Sequence, residues 1–463
     1  MVFDTKKDVQ DVTLSTTPDS HMYNNEETVG QVRDLTDYEK ARMEHGDARF
    51  HRLGWKRLTV VLIVEAIALG SLGMPSSFAA LGMVAGTILT VGLGILAIYS
   101  SYVVGQVKIK YPNVQHYADA VGLMLGRFGY ELAGAMFVLQ LTFLVGSHTL
   151  TGTIAFQNLT DHGACGIVFG VVSAIILLLL ALPPSFAELA ILGYIDFVSI
   201  ITAIGITIIA TGIQKNGVPM ASDWSAWPAE DITFVKAFIA VTNIVFAYSF
   251  AICQFSFMDE MHTPTDFPKS VWVLGIIEII IYTLTGALIY AFVGKDVQSP
   301  ALLSAGPLIS KIAFGIALPV IFISGSINGT TACRYVHGRI YKNSVKRYIN
   351  TPKGWISWIV IVAIDTVVGW VIAEAIPFFD DLLAISSALL ISGFTFYFPA
   401  MMWFMLIREG SPFSKENLPL TALNTVCFIV GIVVLVGGTY SSVVDIIQSY
   451  KLGEVGGPFS CGV

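Results

Sequence analysis

The sequence predicts an all-α polytopic membrane protein of about 11 transmembrane helices, and three observations carry that expectation. Of 463 residues, 54% are hydrophobic and only 13% charged, whereas a soluble chain approaches a quarter charged. The apolar residues fall in unbroken runs of about 17 or more, enough for a helix to cross a hydrocarbon core of about 30 Å. Transmembrane strands would instead read as alternating segments of about ten residues. The basic residues also partition by loop: with a cytoplasmic N-terminus, 21 of the 26 fall on the inner side. That asymmetry sets the N-terminus inside and, with an odd number of spans, the C-terminus outside. The net charge of -7 carries no nucleic-acid signal in such a chain; the surroundings it addresses are the lipid bilayer.

Residues 1–52 are polar and too poor in apolar side chains to form a core, so a disordered cytoplasmic tail is expected. No cleavable signal pattern precedes the first apolar run, which must itself direct insertion. The transmembrane domain is expected over 53–445, with spans at 58–81, 83–107, 131–157, 165–182, 189–213, 233–257, 270–293, 308–331, 355–376, 382–407 and 418–440, and a short extracellular tail at 446–463.

Span one, LTVVLIVEAIALGSLGMPSSFAAL, is interrupted at its middle by Gly70-Ser71-Leu72-Gly73-Met74-Pro75. Two glycines and a proline within six residues disfavour a continuous helix. In hydrocarbon, an opened backbone survives only where it is buried in protein or faces a polar cavity or solute. A discontinuous first helix is therefore expected.

The glycines of span two suit close helix packing. After it, HYADAVGLMLGRFG has apolar residues at helical spacing and is expected on the membrane surface. Span three carries the polar cluster Gly146-Ser147-His148-Thr149; its imidazole is either functional or bonded to a neighbouring helix. Asn158-Leu159-Thr160 matches a glycosylation acceptor close to the membrane, and Asn328-Gly329-Thr330 matches only inside a span. Asp196, Glu278 and Asp365 stand among apolar neighbours in spans five, seven and nine, where isolated acids are expected to face the bundle interior or water. Trp224 and Trp227 suit a headgroup-level loop. Asp259 and Glu260, just inside span six, read as an inner gate or a solvated loop. The five cysteines show no metal-ligand spacing. Cys165 and Cys461 fall on the same outer side, but free thiols are the preferred expectation.

Spans one to five form an odd-numbered unit, so a second copy in six to ten would be inserted upside down. This topology permits a 5+5 inverted-repeat fold with discontinuous helices 1 and 6 and a substrate at their crossing. Span six shows no glycine or proline at its centre, and its break is inferred by position alone.

GSLGMP in span one, YADAVGLMLG after span two, and FAYSFAICQFSFMDEM with TDFPKS at span six together resemble the amino acid/auxin permease family, particularly its fungal neutral amino acid permeases. The resemblance implies the fold of the wider amino acid–polycation–organocation superfamily and import of amino acids driven by protons or sodium. It implies no enzyme activity and no cofactor. Under it, free amides at Gly70, Ser71, Leu72 and Gly73 would meet a substrate carboxylate, and carbonyls at Phe246, Ala247, Tyr248 and Ser249 its ammonium. Phe246, Tyr248 and Phe250 would favour a neutral L-amino acid side chain.

Sodium-coupled relatives tend to carry a neutral oxygen ligand two turns before the glycine break, where this chain has Glu65. A carboxylate among Val, Ile, Leu and Ala is costly to keep charged, which makes Glu65 the candidate to load and release H+. An ion pair with Arg57 or Lys56, or a sodium ligand, stays open. The expectation is a plasma-membrane, proton-coupled secondary transporter; the rivals are a sodium-coupled transporter and a non-transporting amino acid receptor.

Overall fold

The computed structural model describes residues 54–184, 186–213, 224–259, 261–342, 344–349, 351–453, 459 and 461. The expected tail at 1–52, Glu260 and the side chain of Glu65 lie outside the described residues. Among these residues, nine helices are long and apolar enough to cross a membrane, and two shorter apolar ones stand at the predicted fourth and sixth spans. They are α1 (Trp55–Leu81), α2 (Met83–Lys110), α3 (Tyr117–Thr160), α4 (Gly166–Leu180), α5 (Phe186–Ile213), α6 (Phe234–Ala247), α7 (Gln254–Asp259), α8 (Phe267–Val293), α9 (Pro307–Ile340), α10 (Pro352–Ala375), α11 (Phe379–Ile407) and α12 (Leu418–Leu452). Helices α6 and α7 are the two halves of span six; α7 is a single short helix outside the long-span count.

Helix α1 is the centre of the bundle: 94% of its most apolar window is buried, against 22% for the peripheral α12. A helix apolar on every face is stable only when neighbours cover every face, and α5, α6, α8 and α9 do so here. The pairings repeat under a shift of five spans. Span seven on span one is matched by span two on span six, and span nine on span three by span four on span eight. Two five-helix units arranged alike produce that pattern.

The expected break in α1 is not there; the helix runs unbroken through Gly70 and Pro75. Ser71 Oγ donates to the Ile67 carbonyl (2.7 Å), and Ser76 and Ser77 both donate to the Gly73 carbonyl (2.8 and 3.1 Å). Pro75 has no N–H to give the Ser71 carbonyl, so the turn is held by the surrounding helices, and the serine hydroxyls add bonds elsewhere in the same helix. Propensity judged residue by residue missed this because the packing that overrides it is tertiary.

Most of the HYADAVGLMLGRFG segment forms a short helix of its own, the start of α3, separated from the membrane-spanning part by a non-helical kink at Gly126, whose φ of 64° suits glycine. Tyr117 at its beginning is fully buried and donates its hydroxyl to the Phe394 carbonyl (2.6 Å). At the other end of α3, Asn158 lies within the helix and accepts from Ser310 Oγ (3.3 Å), which removes it as an exposed glycosylation acceptor.

Helix α11 contains wide π turns at Ser387–Ile391, Gly393–Tyr397 and Trp403–Ile407, and α12 one at Val434–Gly438. Such turns gather at functional sites.

Free thiols at Cys165 and Cys461 are overturned: the two form a disulfide, with Cα atoms 4.7 Å apart. The helix expected to end before residue 446 continues to Leu452, and Phe459 packs on Trp370 of α10 (5.7 Å between centroids). Those contacts bring Cys461 to the loop before α4, making across 296 residues the pairing that a shared outer side allows and the sequence ranks second. Cys253, Cys333 and Cys427 are buried and lie outside the disulfide.

Candidate functional site

The break lies in span six. Helix α6 stops at Ala247, and Tyr248 leaves the helical region with φ -96° and ψ 39°. The chain resumes as α7 at Gln254. Neither glycine nor proline stands between them, so tertiary bonds must hold the opening. The Ala247 carbonyl accepts from Tyr282 of α8 (3.1 Å), whose hydroxyl also reaches the Ala66 carbonyl of α1 (2.8 Å). The Tyr248 carbonyl accepts from Thr395 Oγ1 of the second π turn of α11 (3.2 Å). Tyr248 donates its own hydroxyl to the Thr90 carbonyl of α2 (2.9 Å) and meets the Tyr282 ring edge-on at 5.3 Å. Phe246, Ala247, Tyr248, Ser249 and Phe250 are all buried. The Ser249 hydroxyl has no hydrogen-bond partner among the described residues.

Of the α1 residues expected at the site, Gly70 faces this break: a β-carbon there would lie 2.8 Å from Ala247 Cα. Gly73, one turn on, faces α11 instead, with Leu383, Asp380 and Phe379 at 3.6 to 3.8 Å from the same hypothetical atom. Ser71 bonds within its own helix and Leu72 is core. The amides of Gly70 to Gly73 are therefore not open to a carboxylate in this conformation; α1 and the span-six break do meet as expected.

At the predicted cytoplasmic end, α7 is clasped at three points. Gln254 forms a two-bond clasp with Ser101, accepting from its hydroxyl (2.5 Å) and donating to its carbonyl (2.7 Å). Ser256 meets His116 Nδ1 at 2.9 Å. Asp259 pairs with Lys108 (2.7 Å), which is only 4% exposed. The Lys108 ammonium also donates to the carbonyls of Val114 (2.5 Å) and Pro112 (2.9 Å), so its three donors meet three acceptors. Asp119 accepts from the backbone amides of Gln115 (3.0 Å) and His116 (2.8 Å), fixing the turn that carries this cluster. Burial pushes the His116 imidazole down to about 4 against the pull of Asp119 and Asp259. Asp259 is thus ion-paired and only partly exposed.

On the opposite side, a cavity of about 700 Å³ is lined by residues of α3, α6, α11 and α12, among them Lys236, Asp380, Asp381 and Asp445. The remaining intramembrane groups are dispersed. His148 is buried against Gly325, and its Nδ1 has no hydrogen-bond partner among the described residues. Asp365 accepts from Thr142 (2.6 Å), Glu278 is buried near Tyr248, and Asp196 is buried without a hydrogen-bond partner among the described residues. Those residues hold no group of three or more His, Cys, Asp or Glu able to bind a metal ion.

Residue-by-residue reading missed Tyr282, Thr395, Thr90, Gln254 and Lys108. An isolated tyrosine in an apolar span and a glutamine beside the break were available signals; Lys108 was visible only as a topology marker.

The sequence model of the family described as "Transmembrane amino acid transporter protein" matches residues 51–444. The chain is 60% identical over 446 residues to the Neurospora crassa "N amino acid transport system protein", covering 94% of this chain and 95% of that one. It is 24% identical over 457 residues to Arabidopsis thaliana "Amino acid permease 2", with 88% and 91% covered. In fold it resembles a nucleobase-cation-symport-1 family transporter solved in a closed conformation with bromovinylhydantoin bound, at TM-score 0.54 and 13% identity over 87% of this chain and 93% of that one. A helical membrane bundle with a broken sixth span, matched along most of its length by these sequences, belongs to the transmembrane amino acid transporter family.

Proposed function

We propose that this transporter imports neutral L-amino acids across the plasma membrane by alternating access, coupled to protons, with its N-terminus cytoplasmic and its C-terminus outside. The observation that carries the reading is the span-six break against α1, with three clasps at the predicted inner end and a cavity of about 700 Å³ on the other side. Bringing the two sides alternately into contact with one site is transport.

The substrate contacts in this reading are Phe246, Ala247, Tyr248, Ser249 and Phe250, with the Gly70–Gly73 face of α1. The Ser249 hydroxyl supplies a polar contact, and the surrounding rings favour a neutral side chain. Engaging a carboxylate through the amides of Gly70, Ser71, Leu72 or Gly73 requires α1 to open locally. Pro75, which lacks an N–H, makes that stretch the easiest to open. Glu65 is the proposed proton carrier. A disulfide between Cys165 and Cys461 supports an outer, oxidising location for both, in keeping with the basic-residue asymmetry.

Uptake of labelled neutral amino acids into proteoliposomes, with and without an imposed pH gradient, tests the proposal. Accumulation that follows the gradient and persists when choline replaces sodium is expected. Strict dependence on sodium at constant pH overturns the proton assignment, and saturable binding without uptake overturns transport.

A further inference from the structure

The cavity of about 700 Å³ is not the span-six break; its lining residues lie on the predicted outer side. Its size falls in the range of about 300–1,000 Å³ usual for small-molecule sites. Its chemistry is two-sided. Asp380, Asp381 and Asp445 line it from α11 and α12, while Lys236 of α6 and His162 line it from elsewhere. Asp380 is fixed by Ser299 Oγ (2.6 Å) with the Ser76 hydroxyl of α1 beside it, and lies close to Asp445.

A cluster of carboxylates alone would be a solvated rim. Here two further polar side chains that line the cavity, Gln157 and Ser449, are 5% and 7% exposed and have no hydrogen-bond partner among the described residues. Side chains buried to that degree ordinarily bond something. The cavity also adjoins α1, because Asp380 Oδ1 would lie 3.8 Å from a β-carbon on Gly73.

We propose that this cavity is a vestibular binding site for a free, zwitterionic α-amino acid, which it holds before the solute reaches the crossing of α1 and span six. The ammonium is received on the Asp380 and Asp445 side, and the carboxylate by Lys236 and the Gln157 amide. Phe378 and Phe379 supply an apolar wall for the side chain. With three carboxylates against one lysine and one histidine, the mouth attracts ammonium groups and repels a second negative charge. The vestibule thus rejects anionic amino acids ahead of the central site. This inference rests on the transport reading.

The test is initial uptake into proteoliposomes as a function of concentration, using the labelled neutral amino acid that wild type transports fastest. Asp445→Asn and Lys236→Gln are each expected to raise KM about fivefold while leaving the saturated rate within about twofold, as loss of a partly solvated charge contact does. Asp445→Glu should restore KM. Excess unlabelled glutamate, a poor inhibitor of wild type, should inhibit Asp445→Asn more strongly. Should Asp445→Asn fail to insert, the measurement is made on wild type at low and high ionic strength, where screening is expected to raise KM.

Unchanged KM in both variants, a fall in saturated rate alone, or a wild-type KM indifferent to salt overturns the vestibule. Wild type without saturable uptake overturns the transport reading instead, so the two failures are distinct.

Discussion

Gly70 of α1 lies so close to Ala247 at the end of α6 that a β-carbon on Gly70 would sit 2.8 Å from the Ala247 Cα and 2.9 Å from its Cβ. The first of those atoms is backbone and cannot rotate away. The two helices cross here because glycine is present, and Tyr282 ties both strands of the crossing with one hydroxyl.

Gly70→Ala is therefore expected to lose uptake and to destabilise the protein by about 1–3 kcal/mol, the usual cost of overpacking. Gly73→Ala, whose added methyl meets ordinary contacts of 3.6 Å or more, should change stability little. Thermal unfolding of both purified variants beside their uptake checks the pair. Wild-type behaviour of Gly70→Ala would show that the crossing yields easily.

The contrast between the two broken-helix expectations shows what a sequence can display. Span lengths and their number were legible because apolar runs are local. Gly70 to Pro75 advertised a break that α1 does not make, since the helices packed around it hold it closed and three serine hydroxyls bond within it. Tyr248 to Cys253 advertised nothing and is open, since the groups that hold it are Tyr282 and Thr395, 35 and 147 residues away from their partners. The same kind of separation left the Cys165–Cys461 bond as the less favoured alternative and concealed the Lys108–Asp259 pair.

That pair yields the second prediction. Asp259→Asn leaves a nearly buried Lys108 ammonium with two carbonyls and no counter-charge, and should loosen the inner clasp more than the loss of one exposed pair would. Net accumulation is expected to fall several-fold while exchange of substrate between equal pools persists. Accessibility of a cysteine placed at Ser256 to an impermeant thiol reagent from the cytoplasmic side should rise in parallel. Unchanged labelling would mean the pair does not hold this end shut.

His116 sets a pH dependence whose sign follows from its lowered position of about 4. An imidazole held below its ordinary value near 6.5 binds fewer protons folded than unfolded. It penalises the folded state progressively as pH falls from about 6.5 towards 4, and is without effect above that window. The midpoint of thermal unfolding should therefore drop more steeply between pH 6.5 and 4 in wild type than in His116→Gln, and the two slopes should coincide above pH 7. Parallel curves throughout would place the titration elsewhere.

The proposed proton coupling distinguishes two carboxylates. In the proposed coupling, protonation of Glu65, five residues before Gly70 in the helix that meets the span-six break, would bias α1 between closed and locally open forms. Asp196 of α5 is buried and without a hydrogen-bond partner among the described residues. A charge there is equally costly, but it lies on a helix that covers α1 rather than forming the crossing. A group drives transport only if its charge state differs in free energy between the two conformations, whatever its burial. Glu65→Gln is accordingly expected to abolish accumulation driven by a pH gradient and retain exchange, because a permanently neutral side chain allows the conformational change without recording the gradient. Asp196→Asn should keep both activities. The opposite pattern, gradient-driven accumulation by Glu65→Gln and its loss in Asp196→Asn, would transfer the coupling role to α5.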